Sequence, residues 1–201
     1  MSMADAVGWY DFQWSGGSFE VCFRPGCKFF CPKFQEAARW EMNGDQVKID
    51  WGRFGKYEMT FSANKTMEGH KVPKNEADEK NWRKALFKRP LSDVEQILVG
   101  DGAGTAWDFE WSGGKFPVQF KADGYNHFKC VDFPAHAHWQ LDGNKLQIHW
   151  GEYGNYELDV DPAAKSMSGC SVGGDPEKDW RKAAWAKNLT DIYSHEVCEH
   201  H

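Results

Sequence analysis

Ile49-Asp50-Trp51-Gly52-Arg53-Phe54-Gly55-Lys56-Tyr57-Glu58 returns later in the chain as Ile148-His149-Trp150-Gly151-Glu152-Tyr153-Gly154-Asn155-Tyr156-Glu157. The tryptophan, both glycines and the tyrosine keep their places, and an aromatic stands between the glycines in each copy. Outward from this pair the match continues with only small changes of offset. Asp11-Phe12-Gln13-Trp14-Ser15-Gly16-Gly17 meets Asp108-Phe109-Glu110-Trp111-Ser112-Gly113-Gly114, and Trp40-Glu41-Met42-Asn43-Gly44 meets Trp139-Gln140-Leu141-Asp142-Gly143. Downstream, Lys65, Met67 and Gly69 meet Lys165, Met167 and Gly169, and Trp82-Arg83-Lys84-Ala85 meets Trp180-Arg181-Lys182-Ala183. A self-match running through nearly all of each half marks a tandem duplication of one structural unit.

Within each copy the dominant period is two, the signature of a strand with one buried face. Trp139 and Leu141 alternate with His138 and Gln140. Leu146, Ile148 and Trp150 alternate with Lys145, Gln147 and His149, and Asp142-Gly143-Asn144 forms the turn between the two runs. The first copy repeats the hairpin, with Trp40 and Met42 opposite Val47, Ile49 and Trp51 across Asn43-Gly44-Asp45. Tyr57, Met59 and Phe61 continue the alternation, as do Tyr156, Leu158 and Val160. The Trp-Ser-Gly-Gly turns join two further strands in each copy.

The expected fold is therefore all-β and mainly antiparallel, a tandem duplication of a small β-barrel or sandwich unit. Each copy should hold about five to seven short strands. Each should end in one short α-helix: Asp175-Pro176-Glu177 reads as an N-cap with a first-turn proline ahead of Trp180 and Ala183, and Asn75-Glu76 plays that part before Trp82 and Ala85. The expected divisions are a first repeat over 1–90, a linker over 91–105 containing Gly100-Asp101-Gly102-Ala103-Gly104, a second repeat over 106–190, and a flexible tail over 191–201. Two closed units and two half-barrels closing on each other both fit the pattern. A unit of this size can enclose its own core, which favours the first.

The strand alternation, the small size and the Trp-marked first strand resemble the lipocalin and calycin class of antiparallel barrels. That resemblance implies a barrel that binds a small hydrophobic ligand inside. Gly104-Thr105-Ala106-Trp107 stands near the place of the Gly-x-Trp of lipocalins, one residue longer in spacing, and the duplication departs from the usual single barrel. No binding residue is carried across.

Composition narrows the functions. A net charge of −6 argues against nucleic acid as a partner, because phosphate-backbone affinity needs clustered Lys and Arg. No run approaches the ~20 apolar residues of a membrane span, and the N-terminal residues have no basic and apolar leader pattern, which points to a cytoplasmic protein. Six cysteines are too sparse for a disulfide framework, so the thiols are read as mostly reduced. Phosphate loops, nucleophile elbows and zinc-finger spacings are missing from the sequence.

Two sets of residues carry functional readings. Trp51, Phe54, Tyr57, Trp150, Tyr153 and Tyr156 are candidate contacts for a small hydrophobic or aromatic ligand, for a sugar face, or for a protein partner. The competing reading is that these rings fill the sheet interior, with the glycines only shaping the turn. The second set separates the copies. His136 and His138 lie two apart on one strand, and hairpin pairing brings His149 beside them on the same face. Three imidazoles in that arrangement suit tetrahedral zinc with an open fourth position, the donor set of a metal-dependent lyase, isomerase or hydrolase. His127, Cys130 and Glu152 are further candidate ligands. The equivalent positions in the first copy, Ala37, Arg39 and Asp50, look like a solvated face, and exposed histidines on such a face are the plain alternative. His195, Glu196, Cys198, His200 and His201 at the end of the chain are a separate, adventitious source of metal affinity.

Overall fold

The structure is a computed structural model, and it describes residues 1–190. The chain forms two units, the first built on Met1–Leu91 and the second on Ser92–Ala122 and Asn126–Thr190. The tail expected over 191–201, with its histidines and Cys198, lies outside the described residues.

In the first unit a short helix, α1 (Met3–Ala6), precedes eight strands. These are β1 (Gly8–Trp14), β2 (Gly17–Arg24), β3 (Lys28–Phe30), β4 (Arg39–Asn43), β5 (Gln46–Asp50), β6 (Lys56–Phe61), β7 (Thr66–Val72) and β8 (Trp82–Arg89). Each strand pairs antiparallel with the next, and β8 returns to β1 with Ala85 opposite Phe12, so the sheet closes into a barrel. The second unit repeats this with α2 (Asp93–Val99), β9 (Gly104–Trp111), β10 (Gly114–Lys121), β11 (His127–Lys129), β12 (Ala137–Asp142), β13 (Lys145–His149), β14 (Asn155–Asp161), β15 (Ser166–Ser171) and β16 (Trp180–Asn188). Here β16 closes on β9, with Ala183 opposite Phe109. Each copy is thus a complete up-and-down barrel, which leaves no strand edge unpaired.

The alternation read from sequence is the alternation seen. Strand β6 buries Tyr57, Met59 and Phe61 and exposes the residues between them. In the β12–β13 hairpin Trp139 faces Ile148 and Leu141 faces Leu146. Each barrel interior is filled by its own inward residues. Tyr10, Phe12, Phe23, Phe29, Trp40, Ile49 and Met59 are almost fully buried in the first, and Trp107, Phe109, Phe120, Leu146, Ile148 and Leu158 in the second.

Two expectations need correction. One helix per copy is present, but it stands before the first strand, and the segments expected as terminal helices are β8 and β16. The capping signals were locally real. Asp175 accepts from the Glu177 N–H through its side chain, and its carbonyl accepts from Asp179 N, but the turn stops there. Asn75 does the same for Ala77 and Asp78. Beyond the turn, the open edges of β1 and β9 offer a full ladder of backbone hydrogen bonds, and pairing with them outweighs the helix propensity of Arg, Lys and Ala. The second correction concerns 91–105. Helix α2 forms there because Ser92 and Glu95 make a reciprocal capping box, Glu95 N donating to Ser92 Oγ at 3.1 Å and Ser92 N to Glu95 Oε1 at 3.0 Å. Val94 and Leu98 then bury against the second barrel's core, and the Leu98 carbonyl accepts from Thr105 Oγ1, which in turn accepts from Trp107 Nε1.

Candidate metal centre

The outer face of the second barrel carries a row of imidazoles that the pleat builds directly. Outward positions on neighbouring antiparallel strands stand opposite one another, with Cβ atoms about 5 Å apart. In register, His127 on β11 faces His138 on β12, His138 faces His149 on β13, and His149 faces Asn155 on β14. Inward neighbours of the row, Phe128, Ala137, Trp139 and Ile148, are buried and fix which face the histidines take. His136 lies two residues before His138, on the same side and just ahead of β12.

His127, His136 and His138 converge: one ring nitrogen from each lies within 4.8 Å of the others. His136 Nε2 and His138 Nε2 are 2.9 Å apart, and the His127 and His138 ring centres are separated by 4.9 Å with the planes tilted by 35°. Tetrahedral zinc at its usual Zn–N distance places ligand nitrogens about 3.3 Å apart. The set brackets that value, and small rotations about the broad histidine χ2 suffice to reach it. His127 and His138 are half-buried and His136 is exposed.

The third imidazole is therefore His127 rather than His149. His149 has the same register relation to His138 from the other side, but its Nδ1 lies 3.3 Å from Asn155 Oδ1, which holds the ring toward β14. Sequence reading overlooked Asn155, although its alignment with Lys56 beside the imidazole row would have exposed it. Cys130 is not placed to join the centre. It directly follows β11 and is 4% exposed in the hydrophobic core, and burial pushes its thiol pKa up. Glu152 sits exposed in the 3-10 turn Gly151–Tyr153, outside the converging set.

The six candidate ligand contacts are engaged with their own barrels. Trp51 and Trp150 are 2% and 3% exposed. The Trp51 ring meets Phe12, Phe29, Phe54 and Tyr57 at centroid distances of 4.8 to 6.0 Å, and its Nε1 donates to the Phe34 carbonyl. Trp150 repeats this with Phe109, Phe128, Tyr153 and Tyr156, and its Nε1 donates to the Phe133 carbonyl. Tyr57 and Tyr156 donate their hydroxyls to the carbonyls of Phe54 and Tyr153 at 2.6 Å. Buried indoles and phenols need such partners, and here the protein supplies them.

In the first barrel the positions of the imidazole row are Lys28, Arg39, Asp50 and Lys56, paired in the same register. Arg39, Lys48, Asp50, Lys56 and Glu58 line a surface cavity of about 280 Å³ on that face. One scaffold thus presents the same face twice, once as fixed charges and once as imidazoles.

No family model, curated protein or solved structure matches the chain. Among the described residues no helix is long and apolar enough to cross a membrane.

Proposed function

We propose that the chain is a binding protein whose second barrel holds one borderline divalent cation, zinc by preference, through His127, His136 and His138. The observation that supports this is the convergence of three imidazole nitrogens within 4.8 Å on a face where the sister copy has none. Imidazole is a good donor for zinc, copper and nickel and a poor one for calcium or magnesium, so the donor set selects the class of ion. The rigid part is the β11–β12 pair, which fixes His127 and His138 by backbone ladder; His136 completes the set from the strand's entry.

A small apolar or aromatic ligand is the other reading of the two aromatic-rich barrels, and the metal reading is preferred because the rings that would serve that ligand pack on one another. Carbohydrate stacking needs exposed ring faces, which Trp51 and Trp150 do not offer. The test is isothermal titration of the chelator-treated chain with zinc, followed by the same titration of His138→Ala. One high-affinity site in the parent, lost in the variant, is expected. An unchanged titration in the variant contradicts the assignment.

A further inference from the structure

We propose that Glu152 supplies the fourth ligand, making the centre a closed three-histidine, one-carboxylate site for zinc; this rests on the metal-binding reading above. The first support is the position of the 3-10 turn. Gly151 has a φ of +55°, and a Cβ built on it would lie 3.4 Å from Ala135 Cβ and 3.5 Å from the His136 carbonyl oxygen. The turn therefore lies against the segment that delivers His136, and Glu152 is its next residue.

The sister barrel shows how far a side chain at this position reaches. Arg53, the counterpart of Glu152, places Nε 3.3 Å from Oε2 of Glu36, across on the segment before β4. Glu36 corresponds to Ala135, and Ala37 to His136. In the second barrel the arginine has become a carboxylate and its acidic partner an alanine, in the same copy where histidines replace Lys28, Ala37 and Arg39. Losing the ion pair removes the cross-segment partner that holds the sister residue, so Glu152 has no equivalent of the Arg53–Glu36 contact to hold it there.

Charge supports the same assignment. Three neutral imidazoles leave a zinc site at +2, and the next two members of the row, His149 and Asn155, bring no carboxylate to it. A carboxylate brings the centre to +1 and completes a tetrahedron at Zn–O of about 2.0–2.2 Å. An exposed glutamate has three rotatable bonds with which to swing onto the ion. A closed centre keeps no position for an activated water, so this site belongs with binding rather than with catalysis.

The test uses the intact chain and zinc competed against a chromophoric chelator, with cobalt(II) absorption as the coordination probe. Glu152→Gln should weaken zinc at least about tenfold and shift the cobalt absorption spectrum as a neutral donor replaces the carboxylate. The double variant Ala135→Glu with Glu152→Arg, which rebuilds the first barrel's ion pair, should fold normally and lose affinity to the same degree. Glu157→Gln, a carboxylate on the same face in the next row, should bind as the parent does. Parent-like zinc affinity and cobalt spectrum in Glu152→Gln would overturn the fourth-ligand assignment while leaving the histidine site standing. A parent chain that binds no zinc would remove both.

Discussion

Cys31 and Cys130 are both buried among aromatic side chains, and that burial raises the pKa of each thiol. Cys170 on β15 is only half-buried. The thiolate is the reactive form, so native protein at pH 8 should label first at Cys170, with Cys31 and Cys130 following only as the barrels open. Mass-spectrometric mapping after timed iodoacetamide treatment checks this; equal labelling of Cys130 and Cys170 would contradict the inward placement. The sign of the linkage follows. A folded-state thiol pKa raised above the ordinary 9.0 contributes stability that is complete below that value and is lost as pH rises through the folded pKa. Urea midpoints should therefore fall on going above about pH 9. Trp150 illustrates the other residue-scale cost. Trp150→Ala removes a ring held by at least four others and leaves the Phe133 carbonyl without its donor, and should destabilise the second barrel by about 3–5 kcal/mol.

Among the elements, the closing strands decide the architecture, and they are where sequence reading failed. Trp82–Arg89 and Trp180–Asn188 carry Arg, Lys and Ala behind a sound capping signal, and local chemistry alone favours a helix. What overrides it is non-local: the unpaired edge of a first strand more than seventy residues earlier, which no window of sequence contains. The hairpin β12–β13, by contrast, was legible to the residue, because its register is fixed by a two-residue turn and a strict period of two. Helix α2 was legible too, had the Ser92-Asp93-Val94-Glu95 capping box been weighed above the glycines that follow it. Strand approach supplies a further test. A Cβ on Gly169 would fall 1.9 Å from the Glu157 carbonyl oxygen, and one on Gly69 equally close to that of Glu58. Gly169→Ala should force β15 away from β14 and lower the urea midpoint, whereas Gly143→Ala, at a turn with open space around it, should cost only the strain of its positive φ. Equal losses from the two would contradict the close packing.

For the whole molecule, duplication followed by divergence separates scaffold from site. Positions that both copies share, such as Trp51 and Trp150 or Tyr57 and Tyr156, turn out to be barrel filling. Positions that differ on the outer face carry the candidate chemistry. That distinction was legible from the repeat, as were His136 and His138. The choice of His127 over His149 was not, because both flank His138 in register and only the lateral contact with Asn155 separates them. Zinc bound to the native second barrel should raise its stability by about 2.7 kcal/mol at a hundred times the dissociation constant. In thermal unfolding, the transition reported by the second barrel should move up with zinc in the parent and stay fixed when the three histidines are removed.

The most direct measurement is the zinc content of the intact chain after exhaustive dialysis, compared with the triple variant His127→Ala, His136→Ala, His138→Ala that keeps the C-terminal histidines. One zinc per parent chain and none in the variant is the predicted result. Zinc retained by the triple variant would assign the metal elsewhere, and its absence from both would contradict the metal centre altogether.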